Sequence, residues 1–325
     1  MAKCPYFEYL LVIPHIRVQN ANSISSPLTH GFPSMTAFLG LMWALERKTT
    51  EAGVDLQFNA IGVVAHSHEE QVTEGGFVNS LRLTRNPIDK DGSTAAIVEE
   101  GRMHMEISLV FAVQSLTLLK DLTQAESLAA KVRDLLSQMR IAGGSVIPSK
   151  APRYKQQPYI VAFENDDTAR EALFRKLRLR LLPGFVLVER QDLLEQRQTA
   201  LKAQQGHASP LDAWLSLSRI NWHSTANEDP AKKADWSHDR NGWVVPIPLG
   251  YGALSELQPA GSVANTRDKE TPFRFVESLY GIGEWLSPHR LQSAEQLLWY
   301  ADSQPENGLY RCRNDYRPAE THHFD

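Results

Sequence analysis

Leu81 to Arg102 reads L-R-L-T-R-N-P-I-D-K-D-G-S-T-A-A-I-V-E-E-G-R, and Met103 to Phe111 continues it as M-H-M-E-I-S-L-V-F. The first stretch is too polar for a core and too rich in arginine and turn signals for a plain connector. Leu81 and Leu83 fall on one side of an extended run, Arg82 and Thr84 on the other. Asn86-Pro87 and Asp91-Gly92 are turn dipeptides. In the second stretch Met103, Met105, Ile107, Leu109 and Phe111 alternate with His104, Glu106, Ser108 and Val110, the mark of a half-buried strand. Phe58 to Ala65, before the arm, is a short buried strand. The spacing therefore predicts a long hairpin pushed out of a sheet over residues 67–102. It carries Arg82, Arg85, Lys90 and Arg102, cations suited to a phosphate backbone, and Asn86 as a further candidate contact. A solvated hairpin that touches nothing is the plain alternative.

Toward the N-terminus, Tyr9 to Ile13 is a continuous apolar run, read as a buried strand, with Pro14 marking a bulge or an edge. Gln19 to Pro33 is a polar loop. Ser34 is a good N-cap for a helix carrying Met35, Phe38, Leu39, Met42 and Leu45 at helical spacing, with a stop near Gly53. After the arm, Thr123 and Glu126 read as a capping box. The helix behind it carries Leu128, Val132, Leu135, Leu136 and Met139, and Gly143-Gly144 ends it. Ser145 to Pro148 reads as a strand. The order is strand, helix, strand, arm, strand, helix, strand, which is the ferredoxin-like split β-α-β-β-α-β pattern of an α+β protein. Many single-stranded RNA binders share it and hold nucleotides on the open sheet face or adjoining loops.

The expected division is a core over residues 1–165 with the arm inserted, and a second half, 166–325, packed on it. There Thr168 to Leu182 reads as a helix, Phe185 to Val188 as a strand, and Asp192 to Gln205 as an exposed helix. Residues 221–241 read as a polar, mobile loop. Trp243 to Pro248 fits an edge strand, with Trp243 taken as core rather than as a base-stacking surface. Phe273 to Tyr300 is taken as helix broken at Gly281-Ile282-Gly283 and at Ser287-Pro288.

The 325 residues suffice for a real core, and the formal net charge is -4, so any nucleic-acid site must be a local patch. Cys4 and Cys312, near opposite ends, fit a reducing cytoplasm and argue against structural zinc. No signal peptide and no bilayer-long apolar run is seen. His66-x-His68 lacks a third ligand, and the arm tip fails the calcium register because Pro87 and Val98 would occupy the first and last ligand places. No metal and no cofactor is expected.

Several polar stretches are candidates for contact. Asn20, Asn22, Ser23, Ser25 and Ser26 form a row of neutral donors and acceptors able to bond bases or phosphates, or else to cap their own turns. Arg140 stands beside Gly143 and Gly144, which allow close backbone approach or simply end a helix. Arg178 and Arg180, with Arg175 and Lys176, spread around one helix, giving a loose phosphate-tracking surface or a solvated helix. An acid-base nuclease would have to use His15 or His30.

Taken together, stretches spread along the chain resemble one family. They are Q-N-A-N-S-I-S-S-P-L-T-H-G-F-P-S from Gln19, L-T-R-N-P-I-D-K-D-G-S-T-A-A-I-V-E-E-G-R from Leu83, R-I-A-G-G-S from Arg140, R-L-L-P-G-F-V-L-V from Arg180, G-W-V-V-P-I-P-L-G-Y from Gly242, R-D-K-E-T-P-F-R-F-V-E-S-L-Y-G-I-G-E-W-L-S-P-H-R from Arg267, and G-L-Y-R from Gly308. The family is the second Csy protein, the Cas-five-type subunit of type I-F CRISPR surveillance complexes. The resemblance implies a RAMP fold with a ferredoxin-like core and a thumb-like arm. It implies a non-catalytic, RNA-binding role in antiviral defence, clasping the crRNA 5′ handle beside the large subunit and against a backbone subunit. Target DNA is a further candidate partner. Arg267 and Arg274, in the matched stretches, are expected to add phosphate contacts. The alternative is a ferredoxin-like endoribonuclease that processes repeat RNA.

Overall fold

The computed structural model describes residues 3–89, 91–163, 166–220, 222–225 and 234–318. Strand β1, Tyr9–Asn22, shows why its first residues are apolar without alternation: both of its faces are covered. Leu11 and Ile13 join one core cluster and Leu10 and Val12 the other. Helix α1, Met35–Glu51, starts at Ser34, whose hydroxyl accepts from the Thr36 amide. It lays Phe38, Leu39, Met42 and Leu45 on the first face. β2 is Gln57–Glu70 and β3 is Arg102–Gln114. Between them the arm holds two small ladders, Thr73–Gly75 with Val78–Ser80 and Arg82–Thr84 with Val98–Glu100. Lys90 at its tip lies outside the described residues.

Helix α2, Ala125–Ser137, adds Leu128, Ala129, Val132 and Leu136 to the first face. The expected capping box is absent, because the chain enters through a 3-10 turn. Asp121 accepts there from the Thr123 amide, and the Gln124 side chain at the N-cap donates to Asp121 rather than capping the helix. β4 (Arg140–Ile141), β5 (Gly144–Ile147) and β6 (Tyr159–Ala162) follow, then helix α3, Asp167–Arg180. The strands from this half lie antiparallel in the order β5-β1-β3-β2, with β6 also on β1. The second face of the sheet is not open. Phe174 and Leu177 of α3 and Leu181 just after it, with Leu291, Leu297 and Leu298, fill it against Leu10, Val12, Val64 and Val110.

The second half extends the same sheet. β7, Phe185–Glu189, pairs with β2. Helices α4, Gln191–Gln205, and α5, Pro210–Ser218, come next, the latter started by a Ser209–Asp212 capping box. Of residues 221–241, Trp222–Thr225 and Asp235–His238 pair as a small ladder, while residues 221 and 226–233 are outside the described set. β8, Val244–Ala253, pairs with β9, Val276–Leu286, along its length. The strand β11, Leu309–Asn314, joins β8 only at Gly250–Gly252, so Pro246 and Pro248 sit where the other side of the strand is unpaired. β10, Trp299–Ala301, pairs with β11 and returns to β2 through Trp299↔Ile61. The chain is thus a mixed α/β protein on one large antiparallel sheet of eleven strands. The helix expected over Phe273 to Tyr300 is instead β9, a single 3-10 turn at Pro288–Arg290, and β10. Trp243, expected in the core, is 52% exposed.

Candidate nucleic-acid interface

The polar segment Gln19–Pro33, expected as a loop, begins inside β1, which bulges between Val18 and Ala21, and continues as a small ladder of Ile24–Ser26 with Thr29–His30. Asn20 adopts a left-handed φ of 58°, which asparagine tolerates, and its amide donates to His104 Nδ1 at 3.2 Å. Asn22 closes a local turn, its Nδ2 donating to the Ile24 carbonyl at 2.7 Å while its Oδ1 accepts from the Ile24 amide. Ser25 and Ser26 each share a hydrogen bond with the Thr29 hydroxyl, at 2.8 and 2.6 Å. The hydroxyl row therefore shapes its own loop. Ser23 is fully buried against Gly101, with its Oγ unpartnered, and presents nothing to the surface.

The second wall is the β4–β5 hairpin. Ala142 and Gly143 have φ of 47° and 80°, the pair of positive values that a two-residue type I′ turn needs. Gly144 is required by contact, since a Cβ there would stand 2.7 Å from the Ala21 amide nitrogen. The Asn22 amide donates to the Ala142 carbonyl at 2.8 Å, docking the hairpin on the loop. Arg140 projects from the hairpin, exposed, with its Nη1 donating to the Gly143 carbonyl at 3.4 Å.

Together these elements line an open groove of about 690 Å³. Its lining includes Asn22, Ser25, Arg140, Ala142 and Gly143, with Thr36, Ala37 and Gly40 of α1 and Tyr251 of β8. Ser34 at the positive end of α1 is also at its rim, and that helix has no acidic residue in its first turn. Of the residues singled out in sequence, the fold unites Asn22, Ser25, Arg140 and Gly143 here. Tyr251 was missed as a site residue, because in G-W-V-V-P-I-P-L-G-Y it looks like one more strand aromatic.

The others lie elsewhere. Arg82, Arg85 and Asn86 are exposed on the arm, with Arg82 opposite Glu100 in its ladder. Arg102 donates from Nη2 to Glu100 at 2.8 Å. Arg178 and Arg180 belong to α3, on the opposite face of the sheet from α1 and α2. Arg178 donates to the Leu291 carbonyl, and Arg180 stacks its guanidinium 3.6 Å from the centre of the Tyr159 ring. Arg267 is exposed, whereas Arg274 donates to the Pro305 carbonyl at 3.0 Å in a separate cleft beside Gly308.

The two histidines weighed for acid-base chemistry part company. His30 is exposed, 3.2 Å from Glu70. His15 sits at 2.7 Å from Glu106, and its ring stacks at 4.4 Å on His66. A bulge between Ala65 and Ser67 separates His66 from His68. His66 bonds the Pro183 carbonyl through Nδ1 and the Ser108 hydroxyl through Nε2, both at 2.6 Å. A carbonyl only accepts, so Nδ1 carries the proton and Ser108 donates to Nε2. Burial pushes the His66 pKa below its ordinary value, and His15 adds to that. Among the described residues no three His, Cys, Asp or Glu side chains converge to hold a metal ion, and no helix is long and apolar enough to cross a membrane.

The family model for the CRISPR-associated protein Cas_Csy2 matches residues 11–312. The CRISPR-associated protein Csy2 of Pseudomonas aeruginosa (strain UCBPP-PA14) is 45% identical over 312 residues, covering 94% of each chain. The match extends over both halves of the sheet, the arm and the groove. The chain belongs to the Csy2 family of CRISPR-associated proteins.

Proposed function

We propose that this chain is a non-catalytic subunit of a type I-F CRISPR surveillance (Csy) complex, acting in the cytoplasm, and that it holds the crRNA 5′ handle in the groove between α1, the Gln19–Pro33 loop and the β4–β5 hairpin. The observation that carries this reading is the convergence there of Asn22, Ser25, Arg140 and Gly143, drawn from segments far apart in sequence, on an open cleft of about 690 Å³. The β5-β1-β3-β2 order supports reading the first half as a ferredoxin-like RAMP core. With its second face filled, RNA would follow the rim: loop, hairpin and arm. The large Csy subunit and a backbone Csy subunit are the protein partners of this reading, with target DNA as a further ligand of the arm. Arg140→Ala should weaken handle binding and lower its log-log salt slope by about one. Unchanged affinity and slope in the assembled complex would refute the groove.

A second reading has one observation of its own: His15, paired with Glu106, lines a small cavity together with Arg133 and Gln156. An endoribonuclease there would cleave repeat RNA without metal, and His15→Ala would abolish the cleavage. Intact RNA after incubation with the wild-type chain removes this alternative.

A further inference from the structure

Beside the groove, and sharing Ser25, Pro33 and Ser34 with it, is a second and smaller cavity of about 190 Å³. Three parts of the chain meet there: the loop before α1, the root of the arm at His68, and strands β7, β8 and β9. Its aromatic walls are Phe32, Trp243 and Trp285. Phe32 meets Trp285 edge-on at 5.1 Å, and Trp243 lies 6.5 Å from Trp285. Phe185 props Trp243 from outside at 5.7 Å. The backbone is fixed too, because the Trp285 amide donates to the Trp243 carbonyl at 3.0 Å. Trp243 lines the cavity, is held in place, and is still left half exposed.

The lining has no Asp, Glu, Lys or Arg; its polar side chains are Ser25, Ser34, His30 and His68. This chemistry is the reverse of the groove next door. The groove offers a guanidinium and a helix N-terminus, which suit a charged backbone. The cavity offers flat rings, proline faces and neutral hydrogen-bonding groups, which suit a nucleobase. Its volume matches one planar ring system and is too small for a peptide helix. A single strand lying in the groove would pass the shared rim at Ser34 and could turn one base inward there. We propose that the Phe32–Trp243–Trp285 cavity takes one unstacked nucleobase of the bound RNA, while the groove holds the adjoining backbone; this rests on the groove being the RNA site.

The test uses the full chain in its complex with partner subunits, purified without guide, and handle RNAs carrying one abasic site at each position in turn. One position should stand out, its abasic form binding roughly five- to a hundredfold more weakly, as removal of a stacked base does. In Trp243→Ala the intact RNA should lose a similar factor, and the abasic site at that position should then cost nothing more. Trp243→Phe should keep most of the wild-type pattern. Arg140→Ala should weaken every RNA in the set by one common factor. If the abasic profile is the same in wild type and Trp243→Ala, the base pocket is refuted. An Arg140→Ala effect that persists in that case leaves the groove standing, and its absence removes both. Should Trp243→Ala instead release the partner subunits with the profile intact, the cavity seats a protein side chain and the proposal fails.

Discussion

His66 shows how much one side chain can depend on its neighbours. Its two ring nitrogens are committed, one to the Pro183 carbonyl and one to Ser108, and its face lies on His15. The folded state therefore prefers the neutral ring, as the lowered pKa records. The unfolded chain, with an ordinary histidine, takes up a proton first as pH falls below about 6.5. Stability is thus fully present above that value and declines as pH drops toward the folded pKa. Urea midpoints measured at pH 5 and pH 7.5 should show this loss, and His66→Gln should lose less on acidification than wild type. None of this was legible in the sequence, where His66-x-His68 looks like a surface pair; the bulge that separates them leaves no trace in composition. Trp243 was misread for a related reason. Its neighbours Val244 and Val245 suggest core, yet a strand places successive side chains on opposite faces, and Trp243 lies just before the strand begins.

The elements read correctly were those whose pattern has one physical cause. The alternation from Met103 to Phe111 is a strand, and the spacing from Met35 to Leu45 is a helix, because burial on one face imposes those periods. The region from Phe273 to Tyr300 misled because its glycines look like helix breaks. They are close-packing points of a sheet. A Cβ on Gly281 would lie 2.4 Å from a Leu249 methyl, and one on Gly283 would lie 2.9 Å from Leu187. The arm, legible from its turns and arginines, shows an unexpected feature: Phe77, Val78, Leu83, Ile88 and Ile97 all stand exposed on it. Exposed apolar side chains gathered on two short ladders mark an interaction surface. Limited proteolysis should therefore cut the isolated chain within residues 73–98 and spare the assembled complex. Equal cleavage in both would show that the arm stays free. In a binding assay, the double variant Arg82→Ala, Arg85→Ala should reduce the salt slope by about two if both arginines meet phosphate.

At the scale of the molecule, the halves expected to divide near residue 165 share β2, and the second face of the first half is filled by residues from the second. No period in the sequence encodes which strand neighbours which across that distance. The expected outcome is a single cooperative unfolding step. Cys312 gives a way to watch it. It is buried, its thiol donates to the Leu249 carbonyl at 3.0 Å, and burial pushes its pKa up to about 12. Thiol labelling of Cys312 in urea should rise at the same midpoint as the loss of circular dichroism. Two separated transitions would mean that the halves unfold independently.

The closure of the strand path at Trp299↔Ile61 also bears on how copies of this chain behave when crowded. A sheet whose second half curls back to its own middle strand has no outermost ribbon on that flank, so little backbone there is left to recruit another molecule. The seams that remain, along Arg140–Ile141, Tyr159–Ala162 and the proline-bearing start of β8, are short, and fibre growth through them would have few rungs to climb.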